Sequence, residues 1–435
     1  MKDKVGNLYS IDSNPEKSKE IFYEYIDKAV YCDFQTYFDN VDMLRYDDVS
    51  KDDVYPYPMI RTNAVYLKDH DIRDLDGNKI DIEKIKEGKE STWNYMDGCM
   101  IKAILELYHI TKKEEYLTFA DNFIDYFVSE DGSIKSYDPN EHNLDHVNAG
   151  KTLFDLYKLT GKEKYRKAID TVYSQLKTQP RTSTGNFWHK AIYPNQIWLD
   201  GLYMAQPFYM QYELTYNEGK NCLDSFQQFL NVYSLMRDLR NGLYYHAYDD
   251  SRESFWCDKV TGLSDNFWLR ALGWYAMALI DTMEVMPEET LGAEKKELNR
   301  IYKELIDSML PYQDEKTGMW YQVVNRGGIR PNYLETSGSA IFAYAIMKSV
   351  RLGFLEESYF QYGRKAFDGI CSTYLSEENG ELQLDGICLV AGLGNKEMRE
   401  GTFDYYMREP IVKNEAKGVA PLILAYIEIL FRGEE

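Results

Sequence analysis

Apolar side chains recur along most of the chain at the spacing of one face of an α-helix. The alternation that marks a β-strand is confined to short pieces such as Gly242 to Tyr248. The pattern therefore predicts an all-α fold. The predicted helices cover residues 14–31, 92–110, 113–128, 146–159, 162–177, 200–217, 222–239, 265–284, 292–311, 333–352, 355–375 and 414–431.

An internal repeat relates two pairs of these helices. Residues 107–121, LYHITKKEEYLTFAD, match residues 156–170, LYKLTGKEKYRKAID. In each copy one helix ends after Leu-Tyr, the chain turns after a threonine, and the next helix begins with a tyrosine that packs inward. A two-helix unit that recurs in a chain of about twelve helices predicts six hairpins closed into one toroid. We therefore expect residues 1–435 to form a single domain.

Alternate helices open with segments that mix aromatic, acidic and small residues. In a toroid of antiparallel hairpins, every other helix lies in the inner ring and points the same way. These openings are expected to meet at one mouth, where aromatic faces, carboxylates and a few cations would form a sugar-binding cleft. The segments are WNYMDG from Trp93, LDHVNAG from Leu144, WLDGLYM from Trp198, SDNFWLRALGW from Ser264 and NYLETSGS from Asn332.

The polar region around 39–92 does not fit the helical pattern, and we interpret it as an N-terminal insert in the domain. Within it, DIRDLDGNKIDIE at Asp71 resembles a calcium-binding EF-hand loop. Ile72 occupies the first ligand position, where an acidic side chain is required. A polar turn is therefore favoured over a calcium site.

The charge balance restricts the partners that the protein can have. The chain carries 50 Lys and Arg against 71 Asp and Glu, a formal charge of −21. This balance disfavours nucleic acid and anionic membrane surfaces as partners. The first residues lack the apolar core of a secretory signal, and no apolar run approaches the length of a membrane span. We expect a cytoplasmic protein, and no motif indicates a protein partner.

Three aspartates near helix starts, Asp145, Asp200 and Asp265, have two interpretations. Aspartate is a favoured N-cap, so each of them taken alone is most simply a helix cap. Asp200 differs because Trp198 and Tyr203 would exclude water from its carboxyl group and raise its pKa, as an acid catalyst near neutral pH requires. Asp145 offers a second carboxylate from the preceding inner helix.

Four basic side chains fall in the same aromatic segments: His189, Lys190, His246 and Arg270. Each has a structural explanation, such as a half-buried histidine, a solvated lysine or an arginine whose stem covers an aromatic ring. Their concentration in a strongly acidic protein nevertheless indicates an anionic ligand group such as a carboxylate. No phosphate-loop, serine-hydrolase or metalloprotease motif is present, and GLGNKE at Gly392 is interpreted as a loop.

At these segments the chain resembles the unsaturated glucuronyl and rhamnogalacturonyl hydrolases, glycoside hydrolase families 88 and 105, and looks most like the second. The matching pieces run from about Trp93 to Leu430, and the FWHK…WLDGLYM and FWxRxxGW blocks are the most specific. The resemblance implies an (α/α)6 barrel. It also implies removal of a 4,5-unsaturated uronic acid from the non-reducing end of an oligosaccharide left by a polysaccharide lyase, with unsaturated rhamnogalacturonan disaccharide as the first expectation. No metal or organic cofactor is implied.

The resemblance also implies roles for single residues. Asp200 matches the general acid that protonates C4 of the double bond, after which water adds at C5 and the hemiketal collapses to release the aglycone. Asp145 matches the second acid, which holds the sugar hydroxyls. The walls and the carboxylate-binding side of the pocket are expected from Tyr95, His189, Lys190, Trp198, His246, Trp268, Arg270 and Trp274.

Some features leave alternatives open. Asn94 and Met96 stand where the families often carry imidazoles, and the insert could reshape the aglycone site. An unsaturated glucuronyl hydrolase that acts on ulvan- or glycosaminoglycan-type disaccharides is therefore the main alternative. A sugar 2-epimerase that uses His189 and His246, or a non-catalytic carbohydrate-binding toroid, fits less of the sequence.

Overall fold

The computed structural model describes residues 92–378, 381–395 and 398–433. The predicted helix 14–31, the EF-hand-like loop and nearly all of the insert lie outside these residues. The helices are α1 (Tyr95–Thr111), α2 (Glu114–Phe127), α3 (Asp145–Asn148), α4 (Lys151–Thr160), α5 (Glu163–Thr178), α6 (Leu199–Tyr216), α7 (Cys222–Met236), α8 (Leu269–Val285), α9 (Glu288–Met309), α10 (Thr336–Arg351), α11 (Phe360–Tyr374), α12 (Phe403–Arg408) and α13 (Ala416–Phe431).

The helices of the described chain form a closed inner ring with an outer layer. Around the ring, α1 packs on α3 and α4, α3 on α6, α6 on α8, α8 on α10, α10 on α13, and α13 on α1 again. Five outer helices, α2, α5, α7, α9 and α11, each pack on the inner helix that precedes them in the chain. This is an (α/α)6 barrel, so the predicted fold class is confirmed. All the predicted helices that fall within the described residues are present, although residues 146–159 are divided between α3 and α4.

The internal repeat produces the same turn twice. Thr111 ends α1 and Thr160 ends α4, and each hydroxyl donates to the carbonyl oxygen four residues earlier, at 2.6 Å and 2.7 Å. The next residue has a left-handed backbone, with φ of 57° and 70°. The following outer helix then buries its first tyrosine, Tyr116 or Tyr165, completely. The repeated sequence therefore specifies both the end of an inner helix and the packing of its outer partner.

Short antiparallel strands connect the helices at one end of the barrel. The strands are β1 (Gln196–Trp198), β2 (Ala247–Asp249), β3 (Leu375–Glu378), β4 (Glu381–Leu384), β5 (Ile387–Cys388) and β6 (Ile411–Val412), which pair as β1 with β2, β3 with β4 and β5 with β6. Strand β1 runs directly into α6, and the Leu199 N–H donates to the His246 carbonyl oxygen at 3.1 Å. The pairing of β1 with β2 therefore fixes His246 beside the first turn of α6.

The cap interpretation of the three aspartates is wrong. Asp145 and Asp200 lie in the first turns of α3 and α6, and the cap positions before these helices belong to other residues without side-chain cap bonds. Asp265 precedes the start of α8 by several residues and is exposed. Because neither Asp145 nor Asp200 caps its helix, both carboxylates remain available at the mouth of the ring. No helix in the part of the chain that the structure describes is both long and apolar enough to cross a bilayer.

Candidate active site

A small cavity lies at the end of the inner ring where α3, α6 and α8 begin, and the segment after β5, described at residues 389–395 and 398–401, lines part of it. We call this segment the cover loop. The space left is about 30 Å³. All the predicted site residues line the cavity except His246, which lies directly behind Asp200. The lining residues are Tyr95, Asp145, His189, Lys190, Tyr193, Trp198, Asp200, Met204, Trp268, Arg270, Trp274, Val390, Ala391, Gly392 and Arg399.

The carboxylate of Asp145 is held by two basic side chains. Lys190 Nζ lies 2.6 Å from Asp145 Oδ2, and His189 Nε2 lies 3.6 Å from Asp145 Oδ1. The backbone aligns them, because the Leu144 N–H donates to the His189 carbonyl oxygen at 3.1 Å. Burial alone would raise the pKa of Asp145, but Lys190 and His189 outweigh it, so the pKa lies below its usual value. Asp145 is therefore ionised at neutral pH.

Asp200 has a different partner. Its Oδ2 lies 3.3 Å from His246 Nε2, and its side chain is 13% exposed, while that of His246 is completely buried. On the other side of the imidazole, His246 Nδ1 lies 2.8 Å from the Tyr406 hydroxyl. Tyr406 comes from α12, far along the chain, and orients the histidine towards Asp200. The site thus contains a row of three side chains, Tyr406, His246 and Asp200, that ends at the cavity.

Parallel aromatic rings form one wall. The Trp198 indole stacks on the His189 imidazole with ring centroids 4.7 Å apart, and on the Tyr193 ring at 5.0 Å. Burial lowers the pKa of His189 to about 4, so this imidazole is neutral at neutral pH even though Asp145 opposes the shift. The wall is therefore flat and uncharged, and rings of this kind bind the faces of sugars.

A second aromatic stack forms the floor. Trp274 stacks on Tyr203 with centroids 5.0 Å apart and an interplanar angle of 7°. The Nζ atom of Lys151 lies 3.5 Å from the centroid of the Tyr203 ring. This ammonium has no hydrogen-bond partner among the described residues, and burial lowers its pKa to about 7. Tyr203 is itself fully buried, so it supports Trp274 and does not line the cavity.

Arg270 lines the cavity, but its terminal nitrogens are engaged by residues of β5 and α10 and by the first residue of the cover loop. Nη1 donates to the carbonyl oxygen of Cys388 and, at 3.0 Å, to the Ser337 hydroxyl, while Nη2 donates to the carbonyl oxygen of Leu389 at 3.4 Å. The side chain is 1% exposed, and its guanidinium carbon lies 4.7 Å from the Trp268 ring centroid. In this arrangement, Arg270 holds the start of the cover loop over the site.

Several site residues were missed by the sequence reasoning. The cover loop contributes Val390, Ala391, Gly392 and Arg399. The described residues of GLGNKE, 392–395, lie outside the helices and the named strands, in agreement with the loop interpretation. Tyr406 lies in GTFDYYM, a segment that the family resemblance included without a role. The one local sequence signal for the cover loop was the mixture of glycines and a basic residue after β5. The position of the loop at the cavity follows from the packing of the whole barrel and could not be read from that signal.

The two positions that depart from the family pattern have structural roles. The Asn94 side chain caps α1 by accepting the Asp97 N–H at 3.0 Å. Met96 is fully buried, and Lys417 Nζ lies 3.4 Å from its sulfur. Neither side chain lines the cavity. Among the described residues, no group of three or more His, Cys, Asp or Glu side chains is placed to hold a metal ion.

Comparison with known proteins places the chain in a family. The model for Glycosyl Hydrolase Family 88 matches residues 74–432. The chain is 26% identical over 296 residues to the unsaturated rhamnogalacturonyl hydrolase YesR of Bacillus subtilis, covering 67% of this chain and 78% of that protein. It is 39% identical over 234 residues to protein Atu3128 of Agrobacterium fabrum, covering 52% of this chain and 98% of that protein.

Solved structures agree with this placement. A family 105 glycoside hydrolase from C. acetobutylicum ATCC 824 superimposes with a TM-score of 0.76 and 44% identity, covering 78% of this chain and 94% of that one. An unsaturated glucuronyl hydrolase specific for heparin shares the fold, with a TM-score of 0.60 and 11% identity over 100% of this chain and 99% of that one. The chain therefore belongs to glycosyl hydrolase family 88, is similar to family 105 enzymes, and is a glycoside hydrolase.

Proposed function

We propose that the protein removes a 4,5-unsaturated uronic acid from the non-reducing end of oligosaccharides produced by a polysaccharide lyase. The observation that carries this proposal is the unequal pairing of the two carboxyl groups in the cavity. Lys190 keeps Asp145 ionised, whereas the basic side chain that pairs with Asp200 is the His246 imidazole. Two carboxyl groups in contrasting environments can divide the work between an acid and a charged hydrogen-bond acceptor.

The first chemical step is protonation of the double bond. Asp200 donates its proton to C4, and positive charge develops at C5 and the ring oxygen. A water molecule then attacks C5, and the Asp200 carboxylate accepts the proton that this water loses. The product is a hemiketal at C5, which opens and releases the aglycone with no change of oxidation state. Each proton that Asp200 gives is returned to it in the same turnover.

The other side chains bind and orient the sugar. Asp145 is ionised, so it accepts hydrogen bonds from hydroxyl groups, and Lys190 donates to the same region. Trp198 and Trp274 offer ring faces to the pyranose.

The proposed substrate is an unsaturated rhamnogalacturonan disaccharide imported into the cytoplasm. This choice is supported by the likeness to the rhamnogalacturonyl hydrolase of B. subtilis and by the 44% identity to a family 105 structure. A glucuronyl hydrolase acting on ulvan- or glycosaminoglycan-type disaccharides is the second candidate, because enzymes of that kind share the fold.

A panel of unsaturated disaccharides from pectin, ulvan and glycosaminoglycans tests the proposal. The purified protein is expected to remove the ultraviolet absorbance of the conjugated double bond, fastest with the rhamnogalacturonan disaccharide. No loss of absorbance on any member would rule out the proposed activity. Product analysis distinguishes the proposed hydrolase from a sugar 2-epimerase that acts through His189 and His246, because epimerisation leaves the glycosidic bond intact. A non-catalytic toroid would bind a sugar without turnover.

A further inference from the structure

A second cavity lies at the other end of the inner ring, towards the ends of its helices. It is formed by side chains within 102–109 of α1, 151–158 of α4, 207–211 of α6 and 281–285 of α8, and we call it the distal cavity. Its volume is about 420 Å³, compared with about 30 Å³ for the cavity at the candidate active site. Protein cavities that hold small molecules usually measure about 300 to 1,000 Å³. The two cavities share no lining residue, and the catalytic steps above give the distal cavity no role.

Four polar side chains of α1 and α4 line the distal cavity as two hydrogen-bonded pairs. Lys102 Nζ lies 3.1 Å from Glu106 Oε1, and His109 Nε2 lies 2.5 Å from Asp155 Oδ2. These side chains are between 18% and 33% exposed, so a molecule in the cavity can contact them. Each pair joins a basic side chain to a carboxylate, so this part of the lining offers both donors and acceptors of hydrogen bonds.

Two further lining residues, Lys151 and Asp281, each carry a buried polar atom that has no hydrogen-bond partner among the described residues. These atoms are Lys151 Nζ and Asp281 Oδ2. Burial alone would raise the pKa of Asp281, but three nearby lysines, Lys348 first among them, outweigh burial and lower the pKa to about 2. Asp281 is therefore ionised and can accept a hydrogen bond, and the Lys151 amine can donate one.

Both unpartnered atoms belong to side chains that are held elsewhere. Lys151 Nζ lies 3.5 Å from the centroid of the Tyr203 ring, a contact that fixes no hydrogen bond. A lysine has three donors on a flexible four-carbon stem, so it can turn from a ring face to an oxygen atom in the cavity. Asp281 is anchored through its other oxygen, because Lys348 Nζ lies 2.7 Å from Oδ1. This anchoring leaves Oδ2 for a ligand.

The charges around the distal cavity are balanced. Among the described residues, four carboxylates line it: Glu106, Asp155, Asp281 and Glu284. They are matched by the three lysines of the lining and by the buried Lys348, whose Nζ lies 2.7 Å from an oxygen of both Asp281 and Glu284. A buried charge is costly unless it is paired. A neutral ligand therefore suits this cavity better than an ionised one.

We propose that the distal cavity binds a neutral, hydroxylated molecule of about the size of a monosaccharide. A hydroxyl group both accepts and donates, so one sugar can accept a hydrogen bond from Lys151 Nζ and donate one to Asp281 Oδ2. Both buried atoms then gain the partner that they lack, which favours binding. The paired side chains of α1 and α4 remain for the other hydroxyl groups. Binding here does not depend on the reaction proposed for the catalytic cavity.

Calorimetry with D-galactose, D-glucose and L-rhamnose tests the proposal. We expect the wild-type protein to bind at least one of these sugars with 1:1 stoichiometry. Gln211→Trp fills the distal cavity from a half-buried position on α6 and should weaken that binding by at least about 10-fold. Lys151→Met should weaken it by about 10-fold, the usual effect of losing one hydrogen bond from a charged donor. The matched control is Gln227→Trp, at an exposed position on α7, which should bind as the wild-type protein does.

Several outcomes would overturn the proposal. One is the absence of binding for all three sugars. Another is binding that a folded Gln211→Trp variant leaves unchanged, and its loss in Asp145→Asn would then assign the sugar to the catalytic cavity. Circular dichroism and thermal unfolding establish which variants are folded. If Gln211→Trp does not fold, Lys151→Met decides, and an unchanged affinity contradicts the proposal.

Galacturonate provides the comparison with a charged sugar. The part of the binding that Gln211→Trp removes is the part that belongs to the distal cavity. We expect this part to be weaker for galacturonate than for galactose, because the carboxylate adds an unpaired charge. If it is stronger for galacturonate, the cavity is an anion site and the proposal is wrong.

Discussion

The ammonium of Lys190 lies 2.6 Å from the carboxylate of Asp145, and the two side chains are only 12% and 9% exposed. The positive charge of Lys190 lowers the pKa of Asp145 and keeps this buried carboxylate ionised. We therefore propose that Asp145 accepts hydrogen bonds from the sugar. The proposed mechanism assigns proton donation to the other acid, Asp200.

Replacing Lys190 by methionine should therefore move the acidic limb of the pH profile. The pKa of Asp145 is below its usual value in the wild-type protein, and without the ammonium the effect of burial raises it. The ionised form is then lost at a higher pH. We expect kcat/KM of Lys190→Met to fall at pH 5, relative to pH 8, by on the order of 10-fold more than in the wild-type protein.

The control for this prediction is Lys158→Met, which removes an exposed lysine on α4. Its pH profile should superimpose on that of the wild-type protein. An unchanged acidic limb in Lys190→Met would show that Asp145 does not depend on Lys190 for its charge.

Tyr406 is expected to act as a positioning residue through His246. Tyr406→Phe removes the hydroxyl 2.8 Å from His246 Nδ1 but keeps the aromatic ring. A neutral hydrogen bond contributes about 1 kcal/mol, so we expect kcat to fall about 5- to 10-fold with KM nearly unchanged. Steady-state kinetics measure both, and Tyr157→Phe, which loses an exposed hydroxyl bonded to Glu163, is the control. A change confined to KM would assign Tyr406 to substrate binding.

Lys151 should make the stability of the protein depend on pH. Burial lowers its pKa from 10.5 to about 7 in the folded state, so the unfolded chain binds more protons between these values. Stability contributed by this group therefore rises as the pH is raised through that window. Denaturant unfolding of Lys151→Met at pH 7 to 9 should show a slope of stability with pH that is shallower by up to about 1.4 kcal/mol per unit.

Lys158→Met again serves as the comparison for Lys151, since it removes a lysine from the same helix at an exposed position. If the slope of Lys151→Met equals that of the wild-type protein, Lys151 is solvated in the folded state and burial does not lower its pKa.

The helices and their order could be predicted from the sequence because apolar residues recur at helical spacing and two of the inner helices carry their own turn signals. Thr111 and Thr160, in the two copies of the repeat, end their helices with the same hydrogen bond. The closed ring of inner helices could be predicted from these hairpins, because neighbouring hairpins have to bury their apolar faces against each other. The convergence of Asp145 and Asp200 was predictable for the same reason, since both open inner helices that point the same way.

The cover loop and the second partner of His246 were not predictable from local pattern. Tyr406 and His246 are 160 positions apart, and Arg270 and Cys388 are 118 apart. These pairs come into contact only when the last hairpins close the ring. Neither the helical spacing of apolar residues nor any sequence motif predicts that contact. Arg270 is an example. Its aromatic neighbours could be predicted from the sequence around it, but the backbone carbonyl groups that it binds could not.

The central claim is that Asp200 protonates the double bond, and a single time course tests it most directly. Absorbance of the double bond and release of the aglycone are followed together for the wild-type protein, Asp200→Asn and the exposed control Asp265→Asn. We expect the two signals of the wild-type protein to change with one rate constant, Asp265→Asn to match it, and folded Asp200→Asn to lose at least about 100-fold in kcat. Aglycone release that precedes the loss of absorbance, or near wild-type turnover by Asp200→Asn, would contradict the account.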